Sequence, residues 1–366
     1  MPATFIPGLK LSERFYFDAV APLLERHFVD LPHTAARLGS GSEVLGYDTS
    51  RSADHEWGPR LQLFLTEQDA QIYGRRITQL LSEHLPKAFL GYPTNFAPTE
   101  EETIGRMHLT HGPVNHRVGV THPTAWFAVH LGFNPLNPIT TLDWLATPWQ
   151  RLLEFTAGAV FRDDLTDISA ARELLEWYPH DIASYVLACQ WRRIAQEEAF
   201  PGRCAEVGDE LGSAVVTGRI SRDIMRLCLL LHRRYPPYSK WLGSAFAQLP
   251  NIEPVASSLT AAQHCTTWPD REDHLVAAYE ATAAIQNNSP SGITGPATTS
   301  SYFDRPFRVI HADRFANTLL DAIGSDTLQG LPMIGGVDQW VDSTDALGQP
   351  VELRNLVRAR LKLGGN

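Results

Sequence analysis

A mixed α/β domain followed by a helical bundle is the fold class this sequence predicts, and three observations carry it. Short apolar stretches at 33–38, 61–65 and 116–121 have strand character, and an amphipathic helical pattern covers 68–85. From about residue 146 onward the texture is helical almost throughout. Hydrophobic residues make up 43% and charged residues 20% of the 366, an ordinary globular balance with enough chain to bury a core without disulfide staples. The organisation expected is an α/β domain over 1–145 with a mixed sheet and flanking helices, a helical domain over 146–250, and a C-terminal helical region over 251–366 as part of the same bundle or beside it.

Taken in order, Ser12 suits an N-cap for a helix running to about Phe28, with Leu11, Phe15, Leu23 and Leu24 as its apolar contacts. The extended stretch 33–38 ends at Gly39-Ser40-Gly41-Ser42, and a loop through Gly46, Asp48 and Ser50 leads to Asp54-His55-Glu56-Trp57. Leu61, Leu63 and Leu65 alternate as in a half-buried strand, and Ile72, Ile77, Leu80 and Leu81 give the next helix its apolar face. Prolines and glycines make 88–115 mostly loop before a third strand at 116–121. Pro148 suits a first helical position, and helices are expected near 148–161, 168–177, 179–199, 204–234, 239–248, 271–286, 311–323 and 351–362. The stretch 287–301, NNSPSGITGPATTSS, reads as the flexible loop of the chain.

The formal charge of −10 repels nucleic-acid backbones, so non-specific DNA binding is not expected, although a local basic cleft is compatible with it. The four cysteines (Cys189, Cys204, Cys228, Cys265) form no CxxC pair and fit a reducing compartment. The first residues lack a signal-peptide pattern, and no apolar run reaches the roughly 18 residues of a membrane span. A cytoplasmic protein with no membrane partner is the expectation.

The stretch from Leu38 to Leu65 carries the chemistry. A glycine-serine turn lets backbone N–H groups and small hydroxyls approach phosphate oxygens. Asp54 and Glu56, at i and i+2, would project from one face of a strand. Two hard oxygen donors on one face suit Mg²⁺ or Mn²⁺ sharing its shell with substrate phosphates. The common fate of an Asp-x-Glu near a glycine turn is a solvated strand edge; here the turn, the gap and the following strand occur together. Gly39, Gly41 and Gly46 do not have the spacing of a dinucleotide loop. His108, His111, His116, His122 and His130 match no common zinc spacing and read as surface or loop residues. Arg192, Arg193, Glu197 and Glu198 read as a solvated helix face with i,i+4 pairs.

An apolar residue, Gly39-Ser40, thirteen intervening residues and then Asp54-x-Glu56 resemble the signature of the DNA polymerase β-like nucleotidyltransferases. The stretch GSGSEVLGYDTSRSADHEWGPRLQLFL resembles more closely a microbial family of unknown function classed as nucleotidyltransferase-like. So do LLEFTAGAVFRDDL, QWRRIAQEEAFPGRCAEVGDELGS, RRYPPYSKWLGSAF and GVDQWVDSTD, which extends that resemblance over nearly the whole chain. It implies a metal-dependent transfer of a nucleoside monophosphate from an NTP to a hydroxyl of an acceptor: a small molecule, a protein or an RNA. Gly39, Ser40 and Ser42 would hold the nucleotide phosphates, and Asp54 and Glu56 would bind the metal and act catalytically. Lys240, in a segment similar in outline to that of antibiotic nucleotidyltransferases, would reach the triphosphate or else pack beside aromatic rings. The third carboxylate of the superfamily falls at Gly119 here, leaving Glu43 or the acidic run 100–102 as substitutes. That departure favours one alternative, a nucleotide-binding protein without catalysis; a second alternative is a helical partner-binding protein.

Overall fold

The computed structural model describes residues 5–99 and 102–363, which form two compact units. The first comprises Met1–Ile139 and Arg151–Glu176, the second Thr140–Gln150 and Trp177–Asn366.

The first unit opens with α1 (Gly8–Phe15), which passes through one π-helical turn (Tyr16–Val20) into α2 (Ala21–His27). The helix starts four residues before the expected Ser12 cap, and Ser12 is buried inside it. The reason is a cap from a distant part of the chain: the Gly8 N–H donates to the Asp48 carboxylate at 2.7 Å, satisfying an otherwise orphaned donor of the first turn. Next come β1 (Thr34–Arg37), β2 (Arg60–Phe64) and α3 (Glu67–His84), whose Thr66 cap accepts from the Asp69 N–H at 3.1 Å. The stretch expected as loop is structured. It forms a small hairpin, β3 (Ala88–Phe89) with β4 (Tyr92–Pro93), and a two-stranded ribbon, β5 (Asn95–Thr99) with β6 (Glu102–His108). The buried Phe96 ring anchors that ribbon despite its prolines and glycines. Then follow β7 (Arg117–Thr121) and α4 (Pro123–His130). The next helix, α5 (Thr141–Ala146), belongs to the second unit.

The chain re-enters the first unit within α6 (Trp149–Thr156), continues through β8 (Ala159–Asp163) and leaves it after α7 (Asp167–Leu174). The helix expected over 148–161 is therefore cut short, and the units do not divide at 145/146. Gly158 causes the cut: a Cβ there would stand 2.2 Å from the Arg37 carbonyl oxygen, so the chain turns against β1 and extends as β8. The resulting sheet has the order β7-β2-β1-β8. β1 is antiparallel to both β2 and β8, and β2 is parallel to β7 with Gln62 opposite Gly119. Ala35, Leu61, Leu63 and Val118 bury one sheet face against Phe15, Tyr16, Leu24, Ile77 and Leu81 of the helices. Each large apolar side chain so buried contributes about 1.5–3 kcal/mol. Strand alternation sends Arg60, Gln62, Arg117 and Gly119 to the opposite face.

The second unit is built on α8 (His180–Glu197), α9 (Phe200–Glu206), α10 (Glu210–Leu231), α11 (Ser239–Ala247), α12 (Glu253–His264) and α13 (Trp268–Asn287). It continues with a two-stranded bridge, β9 (Ser300–Ser301) with β10 (Arg308–Val309), and closes with α14 (Asp313–Asp321), α15 (Asp326–Gln329), α16 (Thr344–Leu347) and α17 (Pro350–Leu361). Residues 177–250 and the C-terminal region thus share one unit. The helix expected over 204–234 is broken where Asp209 caps α10 by accepting from the Gly212 N–H at 2.7 Å. α12 was not expected from the pattern. Trp191 of α8 stacks on Phe315 of α14 at 4.4 Å and donates its indole N–H to Gln286 of α13 at 2.9 Å. The stretch 287–301 is irregular but tethered: the Asn287 side chain bonds both backbone groups of Gly295, and Thr299 donates twice to Glu280. All four cysteines are free thiols. Among the described residues no helix is long and apolar enough to cross a membrane.

Candidate functional site

β1 ends at Arg37, and the chain turns through Leu38 and the 39–42 segment. The Gly39 N–H donates to the Glu154 carbonyl of α6 at 3.0 Å, tying the turn to that helix. Among the described residues, no acceptor meets the N–H groups of Ser40, Gly41 or Ser42. Gln62 of β2 braces the start of the turn, accepting from the Leu38 N–H at 2.9 Å and donating to its carbonyl at 3.1 Å.

Beneath the turn lies a buried ionic triad. Glu43 Oε1 accepts from Arg37 Nε at 2.9 Å and from Arg60 Nε and Nη2 at 2.9 and 2.7 Å. Arg37 also donates to the carbonyls of Leu38 and Ser40. The Arg37 and Glu43 side chains are 3% and 2% exposed. Burial alone would raise the Glu43 carboxyl, but the two guanidinium groups outweigh it and hold its pKa below the usual carboxylate range. Burial, with help from Arg60, lowers Arg37 to about 10, so it stays charged at neutral pH. Two guanidinium groups thus share one carboxylate beside the turn, with Glu56 3.7 Å from Arg60 on the other side. A Cβ at Gly41 (φ +152°) would lie 2.5–2.7 Å from Glu43 Oε2, Arg37 Nη2 and Arg60 Nη2. Glycine is what lets the turn close over the triad. Glu43 is therefore the counterion of two arginines and not a substitute third acid. Glu100 and Glu101 of the other expected substitute lie outside the described residues.

The expected strand placement of Asp54 and Glu56 is not observed. Asp54 ends a 3₁₀ turn (Ser50–Asp54), and its side chain lies outside the described residues; Glu56 has φ +41°, and β2 begins only at Arg60. Glycine and proline at 58 and 59 delay the strand. Glu56 instead exchanges two bonds with Gly105 of β6: its N–H donates to the Gly105 carbonyl at 3.1 Å, and its Oε1 accepts from the Gly105 N–H at 2.9 Å. Oε1 also pairs with Arg117 of β7 at 2.9 Å, and Oε2 lies 3.7 Å from Arg60. With both side chains 39% exposed, the Arg117 pair is solvent-screened; Arg60 is 12% exposed. Both carboxylate oxygens thus face cations, and among the described residues no three His, Cys, Asp or Glu side chains cluster as a metal site. The described donors do not fit a cation shell in this arrangement.

Gly119 is on β7 beside β2, which does not carry Asp54 or Glu56, and nothing among the described residues lies within 4 Å of an added Cβ. Ser40 is exposed, and the Ser42 carbonyl accepts from the Tyr47 N–H at 2.9 Å. Lys240 belongs to the second unit, exposed at the start of α11, with its ammonium 4.8 Å from the centre of the Trp241 ring. The reading of Arg192, Arg193, Glu197 and Glu198 as one solvated face needs correction. Glu197 does pair with Arg219 at 2.5 Å, but Glu198 is 6% exposed and accepts from the N–H groups of Ile310 and Ala312, both at 3.1 Å. Arg193 bonds Asp223 and the Gln339 carbonyl.

Sequence reasoning missed Arg37, Arg60 and Arg117, whose signal was a cation at the end of each strand beside the turn. Of the five histidines read as surface or loop residues, His116 does lie in the loop before β7, and His130 ends a helix. His116 is built in, bonded to the Thr78 carbonyl and the Val118 N–H. His130 is half-buried at the end of α4, its ring stacked on Trp126 at 4.0 Å and 23°.

Residues 144–242 match a family described as "Domain of unknown function (DUF4037)". The matched segment contains Lys240 and none of the turn, Asp54 or Glu56. A search of curated proteins finds no match.

Proposed function

We propose that this chain is a nucleotidyltransferase that holds an NTP by its phosphates on the 39–42 turn and transfers the nucleoside monophosphate to an acceptor hydroxyl. The observation that carries the reading is the turn itself: among the described residues, three consecutive N–H groups without an acceptor lie beside a buried triad in which Arg37 and Arg60 share Glu43. Backbone donors backed by fixed cations form an anion-binding concavity. They act as a preorganised clamp that needs no rearrangement when charge builds on the leaving pyrophosphate. The resemblance of the 38–57 stretch to nucleotidyltransferases supplies the reaction class. The acceptor hydroxyl oxygen bonds the α-phosphorus and releases its proton to water, the bond from that phosphorus to the bridging oxygen breaks, and pyrophosphate leaves. Mg²⁺ or Mn²⁺ enters this proposal as the cation that accompanies the nucleotide; Asp54 and Glu56 are the ligands the resemblance implies, and the present arrangement of Glu56 does not offer it as one. Glu56 would then exchange its arginine partners, a small cost for the half-exposed Arg117 pair and a larger one for Arg60, which is 12% exposed.

A second reading, nucleotide binding without transfer, is favoured by two observations: Gly119 stands where a third carboxylate is expected, and Glu56 is engaged by arginines. The test is incubation with each labelled NTP, Mg²⁺ or Mn²⁺ and a cell extract, with Asp54→Asn and Glu56→Gln in parallel. A labelled product that both variants lose is the expected result. NTP bound with no product selects the second reading. No NTP binding at all overturns both and leaves a helical partner-binding protein.

A further inference from the structure

The turn has one more polar neighbour that the proposed phosphate site does not yet use. The His130 ring sits against the face of Trp126, and its Cε1 is 3.9 Å from where a Cβ on Gly39 would stand; Trp126 Cζ2 is 3.6 Å from the same point. Trp126 is itself fixed, 6% exposed and packed against Phe155 at 5.4 Å and Phe64 at 6.1 Å. The imidazole is thus held in a defined orientation at the edge of the turn, half-exposed, and among the described residues neither ring nitrogen has a hydrogen-bond partner.

We propose that His130 is a phosphate-binding residue of this site, its imidazole N–H donating to a terminal phosphate oxygen of the nucleotide held on the 39–42 turn. The proposal rests on the nucleotide-binding reading above. The charged groups facing the ring are Arg151 of α6 and Arg37 of β1; burial first, and then these two cations, lower its pKa to about 4. Free of ligand, the ring is therefore neutral across the physiological range, with one N–H donor. A polyphosphate beside it reverses the local field and favours the imidazolium, as an opposite charge within about 4–6 Å raises such a pKa by roughly 1–3 pH units. A packing histidine has no reason to respond to nucleotide in this way.

The experiment is an NMR titration of the His130 ring signal, identified by its loss in His130→Asn, between pH 5 and 8. It is run with the protein alone, with ATP and with adenosine, alongside ATP affinities of wild type, His130→Asn and His130→Phe. The expected result is a flat signal for the free and adenosine-treated protein and a titration within that range with ATP. Both variants should bind ATP about tenfold or more weakly, the loss of a hydrogen bond to a charged group. His130→Phe preserves the stack on Trp126 and should melt as wild type does, which separates packing from phosphate binding. A signal that stays flat with ATP bound, or a His130→Phe protein that binds ATP as wild type does, overturns the role of His130 and leaves the turn intact as a site. Failure of wild type to bind ATP at all removes the turn reading, and this proposal with it.

Discussion

Replacing Glu43 by Gln keeps the side-chain volume and one acceptor oxygen while removing the charge that neutralises Arg37 and Arg60. Three charge-assisted hydrogen bonds converge on its Oε1, and Arg37 has almost no access to water. Breaking a buried pair and leaving its partner uncompensated costs about 3–5 kcal/mol; the retained amide oxygen puts this case at the lower end, about 3 kcal/mol. A domain of 150–250 residues loses roughly 2–4 °C per kcal/mol, so the first unit should melt about 6–12 °C lower. The pH dependence has a definite sign. The folded-state pKa of Glu43 is depressed, so its contribution is present above the unfolded value near 4.5 and is lost as pH falls through the folded value. The wild type should therefore lose stability below about pH 5 more steeply than the variant. Thermal melts at pH 7 and pH 4 supply the magnitude, and hydrogen exchange of peptides covering β1 and β2 against those covering α8 and α10 assigns the loss to the first unit. A Glu43→Gln protein that melts within 2 °C of wild type at pH 7, matching an exposed control such as Glu83→Gln, would refute the triad as the support of the turn.

Three further outcomes are expected. Gly119→Glu should fold, because an added Cβ meets no neighbour among the described residues, and should bind Mn²⁺ without nucleotide more tightly than wild type; if Gly119→Gln behaves identically in the same titration, residue 119 does not face the cation. Lys240→Ala should cost about 0.5–1 kcal/mol of stability through the lost contact with Trp241; a urea-unfolding midpoint equal to that of wild type would show that the contact contributes nothing. Burial raises the Glu198 carboxyl to about 7, above its unfolded 4.5, so the folded state holds the extra proton and stability falls as pH rises through that window. Glu198→Gln should flatten that fall, on the order of 1–3 kcal/mol, in urea unfolding at pH 5 and pH 8; a profile parallel to wild type rules it out.

Local periodicity alone determined much of this protein. The alternation of Leu61 and Leu63, the i,i+4 spacing of Ile77 and Leu81 and the long helical patterns of α8 and α10 are properties of neighbouring residues, and each appears close to where its pattern lies. The glycine-serine turn was legible for the same reason: Gly39 and Gly41 advertise backbone conformations that other residues avoid. What depended on distant partners was not legible. Asp48 starts α1 from forty residues away, and β8 exists because Gly158 lets the chain turn against β1. Glu56 left the expected strand because Gly105 and Arg117 offered it bonds, and Glu43 changed from candidate ligand to counterion because β1 and β2 bring Arg37 and Arg60 to it from either side. Sequence spacing reports which groups share an element, whereas charge pairing and desolvation depend on what lies across the sheet, and only the tertiary fold decides that.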